Sequence, residues 1–229
     1  MNSMRSTIKD IRLYRGDLLS DSSAYSLCLF ADKNLTATMF RIAMKLRDQG
    51  FSMGDYDHLY IVFIPCDTTE DFTLSQEVDR YHPWYRKCFV RVKQDVYDHL
   101  DNANQYTYLL DTIGKVLVSC YANDCFSGNR ILECIQQAVK CGEDMLMKFK
   151  EKRSSNRYAV IYLRYRDTCC YSPLLRVWDL NGTLLLEADL PEAITLDYLG
   201  EIQLSANRVK IKPRKNAFSA NLEPLTFEY

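Results

Sequence analysis

Three histidines, nine cysteines and several paired carboxylates are the residues of this 229-residue chain whose types permit chemistry. A metal site would draw on Asp55, Asp57 and His58 in the stretch DYDH, three potential ligands close together. Side chains alternate along extended backbone, which puts Asp55 and Asp57 on one side and His58 on the other. That geometry favours a polar lead-in to a buried strand, and no metal is assigned. A thiol enzyme needs a cysteine within hydrogen-bonding reach of a histidine. His58 and Cys66 are the best candidates, yet the eight residues of extended chain between them span about 26 Å. Neither G-x-x-x-x-G-K-[ST], G-x-G-x-x-G nor G-x-S-x-G occurs. The pairs Glu70-Asp71 and Glu143-Asp144 lie on polar segments that water solvates. No catalytic residue and no cofactor is assigned, and an enzyme of unfamiliar type with a site near the histidines or cysteines stands as an alternative.

Composition points away from several function classes. Lys+Arg is 29 and Asp+Glu 30, so 29 − 30 = −1, and nothing global steers the chain toward nucleic acid or anionic lipid. The start, MNSMRSTIKDIRLYRGD, has no apolar core of a signal peptide. No run approaches the roughly 18 apolar residues of a membrane span. The cysteines show no C-x-x-C and no zinc-finger spacing, and Cys169-Cys170 is the one adjacent pair. Reduced thiols and a cytoplasmic location are the expectation.

The elements that must position any site follow from periodicity. Residues 8–14 and 25–30 read as short strands. Residues 36–50 read as a helix whose face carries Met39, Phe40, Ala43, Met44 and Leu46, with Gly50 as its C-terminal cap. Residues 59–64 are apolar without alternation, as in a strand covered on both faces. Residues 87–92 alternate, with Cys88, Val90 and Val92 on one side. Two long amphipathic helices follow. The first carries Tyr106, Leu109, Leu110, Ile113, Val116, Leu117, Cys120 and Tyr121 at helical offsets. The second runs over 129–152, capped by Ser127 or Asn129, with the basic KFKEKR at its C-terminus. Then the period changes to two, and 157–166, 174–179, 183–189, 201–204 and 208–212 read as strands. Asn181-Gly182 marks a hairpin. The class is α+β, a mixed or antiparallel sheet with two long amphipathic helices and a C-terminal antiparallel strand region, in one domain of residues 1–229 with a possible subdomain joint at 154–156.

Charge arrangement says more than net charge. Residues 48–79 hold eight acids and no Lys or Arg, whereas 80–94 hold five bases and no acid. The segment CDTTEDFTLSQEVD, with Asp67, Glu70, Asp71, Glu77 and Asp79, reads as a long polar binding loop. It leads into RYHPWYR, where Pro83 marks the start of a strand. Trp84 and Tyr85 are expected on opposite faces, one of them in the core. In RVKIKPRK, Arg208, Lys210, Lys212 and Arg214 share a face opposite Val209 and Ile211. Such a row can follow a phosphate backbone, but protection of an edge strand is the preferred reading, and nucleic acid is not the expected partner.

The stretches YDHLYIVFIPC and VDRYHPWYRKCFVRV, with the helix ending LVSCYAND, resemble a family of small bacterial immunity proteins of polymorphic toxin systems. The likeness covers residues 55–124, under a third of the chain. It implies a cytoplasmic inhibitor that binds a cognate toxin and performs no chemistry. The near-neutral charge departs from the acidic character of many nuclease inhibitors and leaves the toxin's class open. The expected partner-binding residues are Asp67, Glu70, Asp71, Glu77, Asp79, Arg80, Trp84, Tyr85 and Arg86, with a protein partner and no membrane.

Overall fold

The computed structural model describes residues 6–16, 33–67, 71–100 and 103–229. The expected strand at 25–30 and the Glu70 position lie outside them. The class is α+β, and the chain divides into two compact units, Met1–Gly142 and Glu143–Tyr229. The division falls at Gly142. Residues 154–156 are instead the turn of a hairpin, with the Ser154 N–H donating to the Arg157 carbonyl at 2.9 Å.

The first unit is built on a mixed sheet of β1 (Asp10–Arg15), β2 (His58–Cys66), β3 (Asp71–Leu74) and β4 (Tyr85–Lys93). Its spatial order is β1-β2-β4-β3, with β1, β2 and β4 parallel and β3 antiparallel to β4. The apolar run at 59–64 is central for the expected reason: Leu59, Ile61 and Phe63 are buried on one face and Val62 and Ile64 on the other. Each such side chain contributes about 1.5–3 kcal/mol over leaving it in water. Helices α1 (Lys33–Asp48), α3 (Tyr106–Tyr121) and α4 (Gly128–Cys141) pack together, α1 against β1 and α4, and α3 against α4. A five-residue helix, α2 (Gln94–Asp98), lies against β2 and β4. Gly50 caps α1 as expected, at φ 79° with its N–H on the Arg47 carbonyl. Ser127 caps α4 through its hydroxyl, which accepts from the Arg130 N–H.

The second long helix stops earlier than its apolar stripe suggests. Gly142 takes φ 51°, a left-handed turn that ends α4, and Met147–Arg153 is strand β5. MKFKEKR also reads with period two, and Met147 is buried. Unit Glu143–Tyr229 continues with β6 (Arg157–Leu163), β7 (Leu174–Asp179) and β8 (Leu184–Asp189) in an antiparallel sheet of order β5-β6-β7-β8. Asn181-Gly182 makes the β7–β8 turn, with Gly182 at φ 84°. A three-stranded sheet is ordered β11-β10-β9, from β9 (Ile202–Leu204), β10 (Arg208–Ile211) and β11 (Leu225–Glu228). The strand of RVKIKPRK is therefore central. Pairing on both sides supplies the protection that the sequence reading assigned to its charges.

Candidate functional site

Residues 78–85 form a corner that feeds β4, and Asp79 builds its turn. The carboxylate Oδ1 accepts from the main-chain N–H of Tyr81 at 2.9 Å and of His82 at 2.8 Å. Those bonds, the one from His82 foremost, hold the Asp79 carboxyl below its usual range. The Tyr85 N–H donates to the His82 carbonyl at 2.9 Å, which closes a second turn around Pro83. With the backbone tied in this way, Val78, Tyr81 and Trp84 stand 57%, 77% and 42% exposed. The Arg80 guanidinium lies 5.9 Å from the Tyr81 ring centroid.

Behind the corner is a floor of rings on the sheet. His82 stacks on Tyr85 at 4.6 Å, and Tyr85 meets His58 at 4.8 Å and Tyr60 at 4.7 Å. Trp84 touches His82 and Tyr85 edge-on, and Tyr14 extends the row from β1. Parallel register assembles it: His58 is opposite Tyr85, and Tyr60 is opposite Arg12, whose guanidinium covers the Tyr60 ring at 5.8 Å. Burial, with a hydrogen bond to Tyr85, pushes the Tyr60 hydroxyl well above its ordinary pKa.

Asp57 anchors this floor from below. Its buried carboxylate accepts from His58 Nδ1 at 2.5 Å and pairs with Lys9 Nζ at 2.6 Å. Burial pushes the Asp57 carboxyl up, but the hydrogen bonds from Lys9 and His58 outweigh it and the net shift is down. The Asp57 N–H donates to the Trp84 carbonyl at 3.0 Å, and its carbonyl accepts from the Lys9 N–H at 2.6 Å. Asp57 and His58 thus meet, which strict alternation does not allow, because Asp57 precedes β2 in irregular backbone.

The structure separates the expected binding residues into groups. Asp79, Arg80, Trp84 and Tyr85 share the corner, and Glu77 is exposed just before it. Neither Trp84 nor Tyr85 enters the core: Trp84 sits in the turn ahead of β4, where strand alternation has not begun, and Tyr85 lies half-buried on the ring floor. Arg86 points to the other face of β4, where Nη1 donates to the Tyr56 hydroxyl at 3.2 Å. There too the free Cys88 thiol is hydrogen-bonded with the Cys120 thiol of α3, and burial pushes the Cys88 thiol up to about 12. The acidic segment is not a structureless loop, since Asp71–Leu74 pairs with β4 and Asp71 bridges Arg91 at 2.9 Å. Asp67 is exposed beyond the opposite end of β2, about 26 Å along the strand from the ring floor. Glu70 lies outside the described residues.

Arg12, Tyr14 and Tyr60 are the site residues that sequence reasoning passed over, and His58 was weighed there only as a metal ligand or a partner of Cys66. Their signal is i, i+2 spacing of ring and charge at 12/14 and 58/60, which places each pair on one strand face. Among the described residues no group of three or more His, Cys, Asp or Glu is placed to hold a metal ion, and no helix is long and apolar enough to cross a membrane. No family model, curated protein or solved structure matches the chain.

Proposed function

We propose that this chain is a non-catalytic protein-binding protein whose 78–85 corner docks a partner protein, and that the partner is a cognate toxin neutralised by occlusion. The supporting observation is that Val78, Tyr81 and Trp84 are held out in water on a turn fastened by Asp79 and backed by stacked rings. Aromatic and arginine side chains dominate interface hot spots. Rings fixed before contact lose little conformational freedom on docking, so more of their burial appears as affinity. Steering by carboxylates is the smaller part, because Asp71 is paired with Arg91 and Asp79 is committed to its turn. The toxin assignment and a cytoplasmic site of action rest on the resemblance of residues 55–124 to immunity proteins.

Co-expression with the proposed cognate toxin tests the reading. The wild-type chain restores growth, and the double variant Tyr81→Ala/Trp84→Ala, folded by circular dichroism, does not. Equal protection by that variant removes the corner from the function.

A second reading, an enzyme at His58, draws on the buried Asp57 that orients His58 Nδ1 as an acid–base histidine requires. His58→Asn, assayed for both protection and partner affinity, separates the two: protection lost with affinity retained assigns chemistry to the histidine, whereas protection that follows affinity assigns docking.

A further inference from the structure

We infer that the unit Glu143–Tyr229 carries a second docking surface, a carboxylate-rimmed apolar cleft that takes a basic, apolar-anchored segment of a partner protein. The cleft has a volume of about 570 Å³ and is lined by Tyr198, Phe218, Leu222 and Leu225, with Asp197 and Glu223 as its charged residues. Phe218 is 85% exposed, more than any other large apolar side chain among the described residues, and Leu222, which lines the same cleft, is 42% exposed. Isolated exposed apolar residues are ordinary, but several around one cleft mark an interaction site.

The fold holds Phe218 out on purpose-built backbone. Its turn, Ala217–Ser219, is closed by a capping box: Asn216 Oδ1 accepts from the Ser219 N–H at 3.0 Å, and Ser219 Oγ accepts from the Asn216 N–H at 3.3 Å. Asn216 Nδ2 donates to Asp197 Oδ1 at 2.9 Å, which ties this turn to the facing wall. That wall is itself fastened by paired main-chain bonds between Tyr171 and Ala193 at 2.9 and 3.0 Å, and by the Tyr198 hydroxyl donating to the Pro191 carbonyl. An exposed ring carried on a turn whose backbone is already fixed is preorganised for docking.

Charge selects the occupant. Both charged lining residues are acids, and residues 177–207 contain no Lys or Arg. The bases Arg214 and Lys215 precede the turn. The Arg214 guanidinium lies over the Phe149 ring at 5.8 Å, its main-chain N–H donates to the Asp197 carbonyl at 2.7 Å and its charge reaches the Asp197 carboxylate, which leaves Glu223 as the less compensated acid of the cleft. Lysines or arginines flanking apolar anchors therefore meet Glu223 foremost, with Asp197 behind it, whereas an acidic segment is repelled.

Fluorescence polarisation with a labelled Lys-Leu-Lys-Phe-Lys-Leu peptide tests this, using the full chain at low salt. The wild-type protein binds it, and Phe218→Ser and Glu223→Lys each weaken binding by about tenfold or more, as truncating an anchor does. A counterpart with glutamate for every lysine binds at least about tenfold more weakly. Trp84→Ala leaves this binding unchanged, so failure here is distinct from failure of the corner. No binding to the wild-type chain, equal binding of both peptides, or indifference to both variants overturns the proposal. So does a wild-type dimer that Phe218→Ser dissociates in sedimentation, which assigns the cleft to a second copy.

Discussion

Two segments of this chain gather cations at short spacing, residues 80–87 among rings and residues 208–215 along a strand, and the fold uses them in opposite ways. In the first, the backbone leaves the sheet edge for a turn before β4, so Arg80 and the rings around it face solvent. In the second, β10 is flanked on both sides. Arg208 is opposite Glu228, Lys210 lies between Gln203 and Thr226, and Lys212 Nζ is 3.8 Å from Glu201. Val209 and Ile211 between these cations are fully buried. The same residue types thus make a display at a corner and a row held between two paired strands in a central one. What decides between them is strand order, a property that no local window of sequence contains.

The comparison breaks most readily at Ile211. Ile211→Ala removes a fully buried side chain and is expected to destabilise the protein by about 2–5 kcal/mol in urea unfolding. A loss below about 1 kcal/mol contradicts a central, core-facing β10. Asp79→Ala strips two main-chain N–H groups of their acceptor and should lower stability by about 1 kcal/mol. It should also speed hydrogen exchange at Tyr81 and His82 while leaving β10 amides unchanged. Uniform exchange across both regions means the turn is held by something other than Asp79.

Acid titration sharpens the same contrast. Asp57 and Asp79 have folded pKa values below their unfolded ones, so the stability they contribute is present above about pH 4. It is lost as pH falls through the lower, folded values, because the unfolded chain takes up protons first. The acid limb of a stability–pH curve should flatten in the double variant Asp57→Asn/Asp79→Asn. An unchanged limb shows that other carboxylates set it. The smallest effect belongs to the row itself: Lys210→Gln should change stability by less than about 0.5 kcal/mol, as half-exposed surface charges do.

Much of the fold was legible where one period dominates. The face of α3, the two-sided burial of β2 and the Asn181-Gly182 hairpin follow from spacing alone. The end of α4 was not, because Met145, Leu146 and Phe149 continue the helical stripe past a glycine whose left-handed φ breaks the helix. Strand β3 hides in a polar segment because four alternating residues on a sheet edge bury little. The corner was legible as a cluster of types, but its ring floor was not. Tyr14, Tyr60 and Tyr85 come from three strands and meet only through parallel register.

The claim that the 78–85 corner is a docking face is tested most directly by isothermal titration of the proposed protein partner into wild-type and Trp84→Ala proteins. The account predicts a loss of about 2 kcal/mol or more, roughly a thirtyfold rise in Kd, with urea stability unchanged within about 0.5 kcal/mol. Equal Kd values for the two proteins contradict it.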